Sequence, residues 1–262
     1  MKKTILGTLL FIISLIIMVP FSDWLYQKAV IQTKPFPTVC LEGWAHRGYV
    51  HTQQGFKENT IPSYLEAIRL GATGIELDVI YDTNLKDFIV SHDKLSDASH
   101  ALRLSDALQQ LPQINIWLDA KNLYQLWPWQ AFSATEKLYN IVSSSHRLQS
   151  VLVESRSAWY LSHLSQYGVQ TTLMIEPNPD KNPISLWLMI AISKIGFVMG
   201  DFQGISISYN RYRNEVSENF QATPAYLSTL NDETLLQSFV AQPQVKVFLT
   251  DNPNLYGEHC HK

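Results

Sequence analysis

Gly74-Ile75-Glu76-Leu77-Asp78-Val79-Ile80 and Phe88-Ile89-Val90-Ser91-His92-Asp93, with only Asp82 to Lys86 between their apolar cores, form the stretch on which the fold turns. Both apolar runs read as strands. A parallel crossover needs about a dozen residues, so strands this close pair as an antiparallel hairpin. Outward from it, short apolar runs alternate with helical patterns. Strands are expected at 39–45, 114–118, 151–153, 171–175, 205–208, 225–228 and 245–249. Helices are expected at 61–70, 132–142, around Trp159, Leu161 and Leu164, at 184–198, and at about 211–220 and 231–240. Such alternation implies parallel strands joined by crossover helices. With the hairpin counted as one element, eight parallel strands remain, the number that closes a (β/α)8 TIM barrel.

The chain has 262 residues, which suits one barrel of roughly 200–250 residues. Apolar residues at 46% and aromatics at 11% supply a large core and exclude a disordered chain. The net charge of −3, without a Lys/Arg run, excludes nucleic acid as the main partner.

Met1-Lys2-Lys3 precedes an apolar run from Ile5 to Val19, interrupted only by Gly7, Thr8 and Ser14. With Thr4, Pro20 and Phe21 it reaches about 18 residues, near the lower limit for crossing a bilayer. No small-x-small cleavage signal follows, and Trp24 and Tyr26 fit an interfacial aromatic belt. The expectation is one uncleaved transmembrane helix in residues 1–22; a cleaved signal and a buried helix of the globular domain are the other readings. Lys2 and Lys3 hold the N-terminus in the cytoplasm, which puts the domain outside, periplasmic or extracellular, or secreted if the segment is cleaved. Residues 23–38, with Lys34-Pro35-Phe36-Pro37, are expected to be an extended linker, and residues 39–262 the barrel domain. The apolar helix at 184–198 carries Lys194 and reads as a buried barrel helix, with a second membrane contact as the alternative. Cys40 and Cys260 pair in an oxidising compartment or remain two thiols.

Barrel enzymes carry their chemistry at the C-terminal ends of the strands. Here those ends read His46-Arg47-Gly48, Glu76-Leu77-Asp78, His92-Asp93, Asp119-Ala120-Lys121 and Thr250-Asp251-Asn252-Pro253. Glu76 and Asp78 are two apart on a strand and share a face. Two such carboxylates repel each other unless a cation lies between them. Asp119 supplies a third oxygen, and an all-oxygen set suits Mg2+ or Ca2+ better than zinc. His46 and His92 suit general acid and base, their roles interchangeable on sequence alone. Arg47 and Lys121 can hold a phosphate. Glu58 offers Arg47 a structural ion pair.

His46-Arg47-Gly48, Glu58-Asn59-Thr60, Glu76-Leu77-Asp78-Val79, His92-Asp93 and Thr250-Asp251-x-Pro253, in this order, resemble the glycerophosphodiester phosphodiesterase family. The resemblance implies a phospholipase-C-like phosphodiesterase barrel, with His46 and His92 as the acid/base pair and Glu76 and Asp78 as metal ligands. It implies hydrolysis of a glycerophosphodiester to glycerol phosphate and an alcohol. Asp119-Ala120-Lys121 stands where the family has Glu-x-Lys and is similar to the sphingomyelinase D group, so a sphingomyelinase-D-like or lysophospholipase-D-like activity on a lysophospholipid-like substrate is the alternative. Ser228-Thr229-Leu230-Asn231 replaces the family's Trp-Thr-Val-Asn and removes an aromatic wall. The segment between His92 and the helix at Ser105 is short, which implies an open mouth. The reading from another class is a silent, membrane-anchored barrel that binds a phospholipid headgroup; the intact His46, His92, Glu76 and Asp78 speak against it.

Overall fold

The computed structural model describes residues 17–31, 40–177, 182–212 and 214–260. Its strands are β1 (Leu41–Ala45), β2 (Gly74–Asp82), β3 (Asp87–Val90), β4 (Asn115–Ala120), β5 (Val151–Ser155), β6 (Gln170–Met174), β7 (Gly204–Ser208), β8 (Ala225–Ser228), β9 (Val245–Thr250) and β10 (Gly257–His259). Its helices are α1 (17–30), α2 (Ile61–Arg69), α3 (Leu104–Gln110), α4 (Pro128–Ser144), α5 (Ala158–Gln166), α6 (Pro183–Val198), α7 (Asn214–Asn219) and α8 (Glu233–Val240). The strands form one sheet in the order β10-β1-β9-β8-β7-β6-β5-β4-β2-β3, and a β1–β2 pairing at Ala45↔Ile75 closes it. Strands β1, β2 and β4 to β9 run parallel around this closed barrel, and β3 returns antiparallel along β2 as the short connection requires.

Strand β10 is not expected from the sequence, because Gly257-Glu258-His259 is too short and polar to show a period. It pairs antiparallel with β1, Leu41 opposite His259. Just outside that pair Cys40 and Cys260 form a disulfide, with Cα atoms 4.8 Å apart.

Helix starts follow from local chemistry. Thr60 accepts from the Ser63 amide ahead of α2, Asn182 from the Ser185 amide ahead of α6, and Asp232 from Thr234 and Leu235 ahead of α8, each capping orphan N–H groups. Pro62, Pro128 and Pro183 stand in first turns, where a missing N–H costs nothing.

Alternation along the strands divides the core in two. Trp44, Trp117, Leu152, Tyr226, Val247 and Leu249 make a separate buried cluster that fills the barrel. Their neighbours Ile116, Leu118, Val151, Val153, Leu227 and Phe248 belong to the larger layer shared with the helices. Gly74 makes room for this plug: a Cβ there would lie 2.2 Å from the Trp44 ring.

The N-terminal expectation is corrected. Residues 1–16, most of the proposed anchor, lie outside the described residues. Among the described residues no helix is long and apolar enough to cross a membrane, so a single-pass protein with its catalytic domain outside is not supported. Where the sequence places the tail of an anchor and then an extended linker, α1 packs on the barrel. It buries Ser22, Tyr26 and Val30. The Tyr26 ring meets Phe197 and Phe220 edge-on, and its hydroxyl hydrogen-bonds Thr223. Lys194, the charge inside apolar α6, is buried because α1 supplies its counter-ion: its ammonium lies 2.6 Å from Asp23 Oδ1 and donates to Asn219 Oδ1 at 2.7 Å. Helix α6 is thus a helix of the barrel, packed through Leu186, Ile190, Lys194 and Phe197.

Candidate active site

The carboxylates predicted to hold a metal meet at one end of the barrel. Parallel register sets Asp78 beside Asp119, and Asp119 beside Glu154. Glu76, Asp78 and Asp119 are all buried, and each brings an oxygen within 4.8 Å of the others. Burial pushes the Glu76 carboxyl well above its usual range, and the neighbouring Asp78 and Asp119 add to the shift. Burial also raises Asp119, although Lys121 opposes the effect. Asp78 moves down: burial would raise it, but Lys121, Asn59 and Arg47 outweigh that cost.

Each oxygen of Asp78 has a cationic neighbour. Lys121 Nζ lies 2.8 Å from Oδ1 and also pairs with Asp119. Arg47 Nε lies 3.0 Å from Oδ2, which also accepts from Asn59 Nδ2 at 2.8 Å. Asn59 is fixed in turn: its Oδ1 accepts from Tyr64 OH at 2.9 Å and from the Asp78 amide at 3.1 Å. Arg47 also donates its amide to Glu76 Oε2 at 2.9 Å and its Nη1 to Glu58 Oε2 at 3.0 Å. These bonds hold its backbone in the left-handed region, at φ 58°. Such strain persists only where surroundings impose it. Gly48 follows at φ 84°, against Ser63 of α2.

When all three are ionised, the clustered acids outnumber the two cations, Arg47 and Lys121, by one negative charge. A hard dication fits this all-oxygen donor set. It would also offset the mutual repulsion that adds to the upward shifts of Glu76 and Asp119.

The two histidines differ in their support. His46 follows β1, and its Nδ1 lies 2.8 Å from Asp251 Oδ1, just past β9. Asp251 Oδ2 accepts from Asn231 Nδ2 at 2.9 Å, while Asn231 Oδ1 accepts from the Asp251 amide at 2.8 Å. Burial would raise the Asp251 carboxyl, but the hydrogen bonds from His46 and Asn231 hold it below its usual range. His92, after β3, is more open and has Nδ1 3.0 Å from the exposed Asp93 carboxylate. It borders two cavities, of about 330 Å³ and 250 Å³, that share Lys121 and Gln125 as walls.

The structure therefore brings Glu76, Asp78, Asp119, Arg47, Lys121 and Glu58 into one connected network, with His46 and His92 at the same end. Sequence reasoning gave no role to Asn59, Asn231 or Asp251, although all three stand inside quoted motifs. It also missed Glu154, because the apolar run of β5 ends at Val153. Burial, and after it Asp119, pushes the Glu154 carboxyl up to about 8.

No family model matches the sequence, and no curated protein matches it. Solved structures do. A glycerophosphodiester phosphodiesterase from Parabacteroides distasonis is 18% identical, with TM-score 0.61, over 83% of this chain and 95% of its own. A phosphodiesterase from Oleispira antarctica, solved in complex with the product sn-glycerol-3-phosphate, is 16% identical, with TM-score 0.59, over 82% and 94%. A calcium-dependent phosphoinositol-specific phospholipase C from a Pseudomonas species is 12% identical, with TM-score 0.54, over 86% and 93%. At such identities the likeness concerns the fold, and the fold of this chain is that of the glycerophosphodiester phosphodiesterase barrels.

Proposed function

We propose that this chain is a phosphoric diester hydrolase that cleaves glycerophosphodiesters to glycerol phosphate and an alcohol, using one divalent cation, Mg2+ or Ca2+. The observation that carries the reading is the buried Glu76, Asp78 and Asp119 cluster at the end of the barrel where His46 and His92 stand. The fold is shared with a phosphodiesterase solved with the product sn-glycerol-3-phosphate and with a calcium-dependent phosphoinositol-specific phospholipase C.

Glu76, Asp78 and Asp119 would hold the cation, which supplies charge for a phosphoryl oxygen. Arg47 and Lys121 add fixed positive charge beside the same carboxylates, where they can orient the phosphate and offset the charge that builds on it. His46 donates through Nδ1 to Asp251, which leaves Nε2 free to take or give a proton. Asp251 stabilises the imidazolium when that proton arrives. His92, across the site, exchanges a proton with the other oxygen of the scissile unit. The attacking hydroxyl is water, or the substrate's own glycerol 2-OH, in which case water opens the resulting cyclic phosphate to glycerol phosphate in a second step.

The test is hydrolysis of glycerophosphocholine, glycerophosphoethanolamine, lysophospholipids and sphingomyelin, with and without chelator. Release of glycerol phosphate that stops in chelator and returns with Mg2+ or Ca2+ is expected. Full activity in excess chelator overturns the metal assignment. Cleavage of sphingomyelin in place of the glycerol diesters moves the substrate class. Binding of these lipids without turnover under any cation leaves a headgroup-binding barrel.

A further inference from the structure

Beside the carboxylate cluster the barrel rim carries a second charged group that the mechanism above does not use. Arg156 directly follows β5 and lines the 250 Å³ cavity together with His92, Asp119, Lys121, Tyr124 and Met174. Its Nη2 lies 2.9 Å from Glu176 Oε2, and Arg211, in the turn after β7, reaches the same oxygen at 3.8 Å. Two guanidinium groups thus share one carboxylate, leaving a net charge of about +1. The acid that lines the cavity, Asp119, is already paired with Lys121.

The Arg156 guanidinium is posed. Its central carbon lies 5.4 Å from the centre of the Tyr124 ring, and its Nε donates to Met174 Sδ at 3.4 Å, a weak acceptor. Tyr124 is held by Gln125, whose Nε2 donates to the Tyr124 hydroxyl at 2.8 Å. The pair with Glu176 is not a buried structural bridge. The side chains of Arg156, Glu176 and Arg211 are 47%, 39% and 39% exposed. Ion pairs this exposed are weak and easily exchanged. A guanidinium fork binds carboxylate or phosphate through two parallel bonds.

We propose that Arg156, backed by Arg211 and Tyr124, is a subsite for an oxyanion carried by the leaving alcohol, so that the preferred diesters bear a carboxylate or phosphate monoester beyond the scissile phosphate. The subsite rests on the phosphodiesterase reading above. In it, the substrate oxyanion exchanges with Glu176 for one edge of the Arg156 guanidinium, while the scissile phosphate stays with Arg47 and Lys121.

Two matched substrate pairs test this and separate the two oxyanions. Glycerophosphoserine and glycerophosphoethanolamine differ by one carboxylate. Glycerophosphoglycerol and its terminal phosphate monoester differ by one phosphate. The readout is the ratio of kcat/KM within each pair for wild type, Arg156→Gln, Arg156→Lys and Arg211→Gln. Wild type should favour the anionic member of at least one pair. Arg156→Gln should lower that ratio by about 10-fold to 100-fold, mainly through KM, since charged hydrogen bonds are lost. Arg156→Lys should restore part of it, and Arg211→Gln should lower it less. A wild-type ratio near one in both pairs, or a ratio that Arg156→Gln leaves intact, overturns the subsite while hydrolysis itself stands. Absence of hydrolysis of all four diesters overturns the phosphodiesterase reading and the subsite with it.

Discussion

At the scale of single residues, support for the catalytic groups is uneven. His46 is fixed by Asp251, which Asn231 braces from β8's side, whereas His92 leans on an exposed aspartate. His46→Ala and His92→Ala should each lower kcat by about 10²-fold to 10⁴-fold, with a far smaller change in substrate binding. Near-wild-type turnover in either variant removes that histidine from the acid/base pair. Asp251→Asn should lower kcat more than it changes KM, because the amide neither fixes the tautomer nor stabilises the imidazolium. Glu154 gives a different kind of prediction. Its carboxyl is pushed up to about 8 by burial and by Asp119, so the native state holds a proton that the unfolded chain releases near the ordinary value. Its contribution to stability is fully present below the unfolded value and is lost as pH rises through the folded one. In chelator, Glu154→Gln should therefore melt higher than wild type at pH 9 and alike at pH 4. An equal gap at both pH values would show that the charge is not what matters.

At the scale of elements, the sequence was most legible where spacing leaves no choice. The β2–β3 hairpin follows from the short Asp82 to Lys86 connection, and the closed parallel barrel follows from counting runs around it. The charged strand ends were legible because a carboxylate after an apolar run is costly to bury without purpose. Groups that act through tertiary contacts were not. Asn59, Asn231 and Asp251 show their roles only once the loops after β1, β8 and β9 lie side by side. Helix α1 misleads in the same way. Trp24 and Tyr26 fit an interfacial aromatic belt, yet Tyr26 and Asp23 find partners on α6 and near α7, more than 170 residues away. Tyr26→Ala removes a buried ring from that seam, which typically costs about 3–5 kcal/mol. The expected result is faster tryptic cleavage at Lys28 with the circular dichroism of the barrel retained. Undiminished protection of Lys28 would show that α1 holds on without this contact.

At the scale of the whole molecule, stability and the site are coupled through charge. A cation that binds only the folded carboxylate cluster should stabilise the protein by about 2.7 kcal/mol at a hundred times its Kd. Melting followed against Ca2+ or Mg2+ concentration reads this directly. Glu76→Gln or Asp119→Asn should flatten the curve, because an amide oxygen replaces a charged ligand. A melting temperature indifferent to both cations would leave the cluster without its dication.

The bond between Cys40 and Cys260 joins residues 220 apart across the β1–β10 seam. Cutting it, by reductant or as Cys40→Ser with Cys260→Ser, should cost about 2–5 kcal/mol. It also makes the chain from 40 to 260 a covalent ring. A single protease cut in any loop of the barrel opens the ring but frees no fragment. The nicked protein keeps its full mass in a denaturing gel and falls into two pieces only when a thiol is added.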